Sequence, residues 1–290
     1  MKKVKRIQFK FTKKRSLGFE IIPFKDFFKL KNIPLITKEY RIEFYNIIFI
    51  VKGEGVHEID FVEYPYHTGD LILISKNRVH RFHYNEHLEG YFIMFTEEFL
   101  YEFLGDKAVE ILDLFKQTYM NPIVQFMSKT ESAENDQLRL LHNFYSQSDM
   151  ELRGEVISST FRTIILLIRQ KYLKIEKVIN QKNNNIFLQF ANLVDTHIKE
   201  IKTVEAYADM MYVSKKTVNL MTRKAVDMSS KQFIIDRLIL EIKRNLCFES
   251  KSIGEISDEL DFTDASNMTK FFKRYTGITP NAFRKMNKYE

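Results

Sequence analysis

Residues 252–280 read SIGEISDELDFTDASNMTKFFKRYTGITP, and this stretch decides the fold of the last third of the chain. Ser252 stands at a helix N-cap with Glu255 at the capping-box position, and Ile253, Ile256, Ser257 and Leu260 recur at helical spacing. Asp261-Phe262-Thr263-Asp264 breaks the period, with Phe262 as an apolar plug and Thr263 or Asp264 as the cap of a second helix. That helix, from Ala265, turns Met268, Phe271 and Phe272 inward. Ser266, Thr269, Lys270 and Lys273 fall on its opposite face, which is polar, basic and free of carboxylates. Gly277 ends the helix, and Pro280 lies just beyond it.

The pattern occurs twice. Upstream, Val204 to Met211 forms a first helix, Tyr212-Val213-Ser214 the turn, and Ser214 to Val226 a second helix. Ala208 to Val213 and Ser257 to Phe262 keep the same five-residue spacing. Between the units, Phe233, Ile234, Arg237, Leu238, Ile239, Ile242 and Leu246 fit one long connecting helix. A lone basic helical face is usually solvated surface; two, each inside a complete helix-turn-helix, favour DNA.

On Ala208, Ser214, Arg237, Ile253, Ile256, Phe262, Asp264, Ser266, Phe272, Lys273, Gly277, Thr279, Pro280 and Arg284, residues Asn185 to Lys288 resemble the DNA-binding domain of the AraC/XylS family of bacterial transcription regulators. The resemblance implies two recognition helices in successive major-groove segments about 34 Å apart. It places base contacts at Lys216, Asn219, Ser266, Thr269 and Lys270. Asn219 suits adenine and Lys270 suits guanine. Lys215, Arg223, Lys224, Lys273 and Arg274 are read as phosphate contacts, which position without specifying. The sequence departs from the family at Leu220, where an arginine is usual, at Thr222, where an aromatic is usual, and at Asp261, where a glycine is usual. Leu220 removes an arginine-to-guanine contact, whereas Asp261 can still enter the left-handed region.

The chain has 290 residues, 44% of them hydrophobic and 14% aromatic, enough for two packed domains. A single cysteine, Cys247, excludes an internal disulfide framework. The longest aliphatic run, Ile164 to Ile168, is far short of a membrane span, and the start lacks a signal-peptide core, so no membrane partner and a cytoplasmic location are expected. Net charge is +7, but residues 1–16 alone hold eight Lys or Arg and no acid. This basic arm, in which Ile7, Phe9 and Phe11 alternate with polar residues, reads as an edge strand that touches DNA, closes over a ligand, or stays in solvent.

In the middle of the chain the period changes to that of strands: Tyr45 to Val51, Gly55 to Phe61, Gly69 to Ser75, Val79 to Tyr84 and Gly90 to Phe95. Gly53-Glu54-Gly55, Tyr66 to Ile74 and His80 resemble the cupin barrel that serves as sensor in many AraC-type regulators. The fold class expected is therefore α+β: a cupin-like β-barrel with a helical dimerisation segment, followed by an all-α domain with two helix-turn-helix units. A metal-binding cupin would carry His-x-His near Tyr40 and Ile42 and a carboxylate near Asn46; with only His80 in place, no metal and no cofactor is expected. The barrel instead reads as a small-molecule pocket. Alternation groups His80, Phe82 and Tyr84 on one strand face and His57, Ile59 and Phe61 on another, making His57, His80, Phe82 and Tyr84 candidate effector contacts. The alternative is core histidines satisfied by backbone partners.

Leu138, Leu141, His142 and Tyr145 make one helical stripe, and Ile157, Phe161, Ile164, Ile165, Ile168 and Tyr172 another; they pack on the barrel or pair with a second subunit. The organisation expected is an arm over 1–16, a cupin-like effector-binding and dimerisation domain over 17–174, a polar linker over 175–185, and the DNA-binding domain over 186–290. The function expected is a non-enzymatic, ligand-responsive regulator. Its partners are double-stranded promoter DNA, a small-molecule effector such as a sugar, a second copy in a homodimer, and RNA polymerase if it activates. A cupin metalloenzyme with a DNA-binding tail, or a regulator whose barrel binds a protein, are the alternatives.

Overall fold

The structure, a computed structural model, describes residues 17–29, 40–76, 78–83, 85, 87–116, 122–126, 133–147, 149–178, 181–248 and 251–286. The basic arm over 1–16 and Tyr84 lie outside the described residues. The chain divides between Ile179 and Asn180 into two compact units.

The first unit runs β1 (Phe19–Pro23), α1 (Phe24–Phe27), β2 (Tyr40–Arg41), β3 (Tyr45–Lys52), β4 (Gly55–Ile59), β5 (Val62–Tyr66), β6 (Asp70–Ile74), β7 (Val79–Phe82), β8 (Glu89–Phe95), α2 (Glu97–Leu104), α3 (Lys107–Lys116), β9 (Ile123–Gln125), α4 (Ala133–Ser146) and α5 (Arg153–Val178). The strands form two antiparallel sheets, ordered β1-β8-β3-β6-β9 and β2-β7-β4-β5. Strand β3 shows why layers are needed on both sides. Ile47, Phe49 and Val51 pack with the helices, while Ile48 and Ile50 join the core shared with the second sheet. A continuous apolar run of this length belongs to a strand buried on both faces.

The helical stripes are taken up inside this unit. Leu138 and Leu141 of α4, and Ile157, Phe161, Ile164, Ile165, Ile168 and Tyr172 of α5, are buried in one cluster with β1, β3 and β8. They are not open to a second subunit, whereas Leu166 on another face of α5 is exposed. The strand expected over Gly55 to Phe61 ends at Ile59. Asp60 and Phe61 adopt φ of 52° and 68°, and this left-handed pair reverses the chain into β5. Asp60 holds the turn: its carboxylate accepts from Val79 N–H at 3.1 Å and from Arg78 Nη1 at 2.7 Å. The stretch expected as a linker, 175–185, is helical at 175–178 and again at 181–185. Its Lys, Glu, Ile and Gln residues are adequate helix formers without an apolar stripe.

The second unit is helical throughout its described elements: α6 (Gln181–His197), α7 (Val204–Met210), α8 (Lys215–Val226), α9 (Ser230–Phe248), α10 (Ile253–Glu259), α11 (Ala265–Thr276) and α12 (Pro280–Met286). Helix α9 is the expected connecting helix. Phe187 and Phe190 of α6 are buried and meet Phe233 at ring-centroid distances of 5.4 and 5.5 Å, tying α6 to α9. Arg284 of α12 donates to Leu246 O at 3.2 Å and Lys251 O at 2.7 Å, closing the end of α9.

Candidate nucleic-acid interface and effector site

The two helix-turn-helix units are built by the same local chemistry. In the first, Thr203 caps α7 by accepting from Ala206 N–H, and Ser214 caps α8 by accepting from Thr217 N–H at 3.1 Å. In the second, Ser252 and Glu255 form the expected capping box at 3.1 and 2.6 Å, and Asp264 caps α11 by accepting from Asn267 N–H at 2.7 Å. The turns match in their bonding: Val213 N–H donates to Ala208 O, and Phe262 N–H to Ser257 O, each at 3.0 Å. Tyr212 and Asp261 occupy the left-handed position of each turn, at φ 54° and 49°.

Helix α11 presents the face expected of it. Ser266, Lys270, Lys273 and Arg274 are exposed and Thr269 is half-buried, while Met268 and Phe272 are fully buried and Phe271 packs on Phe262 at 5.5 Å. On α8, Lys215, Lys216, Arg223 and Lys224 are exposed, and the Lys215 ammonium pairs with Glu205. Asn219 is placed differently from the expectation. Its Oδ1 accepts from Ser230 N–H at 3.2 Å and its Nδ2 donates to Lys215 O at 3.2 Å, so without DNA the amide is engaged at the start of α9. The neighbouring Thr222 is wholly buried; its hydroxyl donates to Val218 O at 2.8 Å and lies 3.0 Å from Ser230 Oγ. Together these two polar residues fasten α8 to the start of α9. The outward residue on this turn of α8 is Leu220, 47% exposed.

In the first unit, His57 and His80 come together inside the two-sheet core. The register places His57 opposite Phe82 and Ile59 opposite His80, so the two imidazoles are diagonal neighbours on one face. Their ring centroids are 5.3 Å apart, and His57 lies 5.5 Å from Phe82. His57 is 0% exposed, yet among the described residues neither its Nδ1 nor its Nε2 has a hydrogen-bond partner, and the buried His80 Nδ1 has none either. For His57, a core histidine satisfied by backbone partners is therefore not what the structure contains. Burial, with His80 and His83 nearby, pushes the His57 imidazole well below its ordinary range. Burial likewise lowers His80 from 6.5 to about 4, with Asp60 opposing. Both rings are neutral near pH 7, each offering one donor and one acceptor.

Two further orphaned polar atoms, Tyr66 Oη and Asn46 Oδ1, belong to residues of the same core or its strands. Tyr66 stacks on Phe82 at 6.4 Å and sits opposite Gly55, where a Cβ would come within 2.5 Å of the Tyr66 hydroxyl. Sequence reasoning did not nominate Tyr66 or Asn46 as effector contacts. The alternation Tyr64/Tyr66 against Gly55/His57 was the available signal. A separate cavity of about 160 Å³, lined by Phe24, Lys25, Leu88, Tyr91 and Arg139 among others, contains none of the expected effector contacts. Among the described residues, Glu58, Glu63 and His83 form a group with metal-ligand spacing. Of its members, Glu58 is paired with Arg81. No helix among the described residues is long and apolar enough to cross a membrane.

Comparison with known proteins gives two domain matches: residues 37–146 match the model of the AraC-like ligand binding domain, and residues 207–286 that of a helix-turn-helix domain. The chain is similar to the Msm operon regulatory protein of Streptococcus mutans, 23% identical over 256 residues, covering 83% of this chain and 84% of that protein. It is also 24% identical over 144 residues to the uncharacterized HTH-type transcriptional regulator YobQ of Bacillus subtilis, covering 50% and 56% of the two chains. Among solved structures, ToxT from Vibrio cholerae aligns over 94% of this chain and 100% of its own at 11% identity, with a TM-score of 0.42. With both domain matches in their expected order on two separate units, the chain belongs to the AraC family of DNA-binding transcriptional regulators that carry an AraC-like ligand-binding domain.

Proposed function

We propose that the first unit binds a small neutral effector between its sheets, at His57, His80 and Phe82, and that binding controls how the paired helix-turn-helix units engage promoter DNA. The observation that carries this reading is the His57 ring, fully buried with both nitrogens unpartnered. A buried polar group without a partner is costly, and a ligand supplying the missing donor and acceptor recovers that cost. Two neutral imidazoles among aromatic rings suit an uncharged hydroxylated molecule such as a sugar better than an ion. The bound state biases a two-state equilibrium of the regulator, which works as a homodimer in the cytosol, where the DNA is, and recruits RNA polymerase as an activator. Lys216, Ser266, Thr269 and Lys270 read bases; Lys215, Arg223, Lys224, Lys273 and Arg274 hold phosphates.

Thermal unfolding against a panel of neutral sugars and polyols, with matched anionic compounds, tests the pocket. A raised midpoint for a neutral compound, abolished in His57→Phe, is the expected result. Stabilisation only by anions, or equal stabilisation of His57→Phe, would overturn it.

A further inference from the structure

Tyr212 is 97% exposed, so its ring packs on none of the described residues, and it stands at φ 54° in the left-handed region. That conformation is unfavourable for any residue with a Cβ other than Asn or Asp, and an exposed ring regains nothing by burial. Glycine, Asn or Asp would make the same turn more cheaply. The second unit illustrates this: Asp261 occupies the corresponding position, and Lys202 Nζ binds its carboxylate at 3.3 Å and its carbonyl at 2.9 Å. One turn thus uses its left-handed residue within the protein, and the other projects an aromatic hydroxyl into solvent.

The location says what that hydroxyl meets. Tyr212 lies two residues before Ser214, the N-cap of α8, and just ahead of the exposed cations Lys215 and Lys216. In a helix-turn-helix on a duplex, the first helix crosses the backbone and the start of the second enters the major groove. The turn that joins them therefore sits at the wall of the groove. The geometry points to Tyr212 as a contact to the sugar-phosphate backbone at the edge of the first major-groove segment, its hydroxyl donating to a phosphate oxygen and its ring lying against the sugar. This rests on the assignment of α8 as a recognition helix. The contact is neutral, so it adds affinity without releasing counterions and without reading sequence.

Because such a contact ignores sequence, it can be tested on a random-sequence duplex with the full-length protein and its Tyr212→Phe, Tyr212→Gly and Lys273→Ala variants, across salt. Tyr212→Gly is expected to melt no lower than the parent and yet to bind about fivefold more weakly at every salt concentration, the loss of one hydrogen bond, with the salt slope unchanged. Tyr212→Phe should lose most of the same factor. Lys273→Ala, by contrast, should flatten the slope by about one. Binding by Tyr212→Gly equal to the parent would overturn the proposal, and if transcription from a target promoter were then lost, the ring would belong to a polymerase contact instead. Full binding by Tyr212→Phe with weakened Tyr212→Gly would remove the hydroxyl-to-phosphate bond. A parent protein that binds no duplex would overturn the recognition-helix assignment itself, a result separable from the behaviour of the Tyr212 variants.

Discussion

Burial holds both imidazoles of the His57–His80 pair neutral, His80 from an ordinary 6.5 down to about 4. In the unfolded chain each would take up a proton below about pH 6.5, whereas in the folded unit His80 resists until near pH 4 and burial opposes protonation of His57 as well. The unfolded state therefore binds more protons within that window. The stability these rings contribute is full above about pH 6.5 and falls as pH drops toward about 4. Thermal unfolding at pH 7.5, 6 and 5 should show a falling midpoint for the first unit, less steep in His80→Phe; the same pH dependence in the variant would clear His80 of this role. On the DNA side, Lys270→Ala should relax preference at one base of the second segment, worth about 1–3 kcal/mol of discrimination. Lys273→Ala should instead weaken all duplexes alike. Equal losses on specific and random DNA for both variants would remove base readout from Lys270.

Helix ends supply the next tests. Asn219→Ala removes the side chain that caps α9, so the second unit should lose about 1 kcal/mol of stability and bind all duplexes somewhat less well. A changed preference at one base with stability intact would return Asn219 to the groove. Gly277→Ala places a Cβ at φ 79° and should destabilise the same unit by about 1 kcal/mol, read from its thermal midpoint. The elements held by such local signals were legible in the sequence: Ser252 with Glu255, Asp264 and Gly277 mark α10 and α11 within a residue. Strand β5 was not legible, because Phe61 hides a left-handed turn that Asp60 secures through Arg78 and Val79, distant in sequence. Strands β1 and β9 are likewise defined by partners far along the chain, β8 and β6. Alternation alone found His57 and His80. The roles of Asn219, Tyr66 and Tyr212 could not be read this way, since they depend on what each side chain touches or fails to touch.

Each unit has its own buried residues, the first around two sheets and the second around α6 and α9, and the AraC-like ligand binding domain and the helix-turn-helix domain fall on different units. Coupling between them is a free energy and is reciprocal. An effector that tightens DNA binding tenfold must itself bind about tenfold more tightly in the presence of that DNA, which titration of effector with and without duplex would show. A compound that binds the first unit with the same affinity whether or not duplex is present would not control DNA binding. The most direct measurement is binding of the full-length protein to the DNA upstream of its own gene and to random DNA, from about 50 to 200 mM salt. A sequence-specific regulator predicts a preference on the order of a thousandfold that survives at the higher salt, with or without an effector from the panel. Equal binding to both duplexes, weakening together with salt and unaltered by any compound that stabilises the first unit, would contradict it.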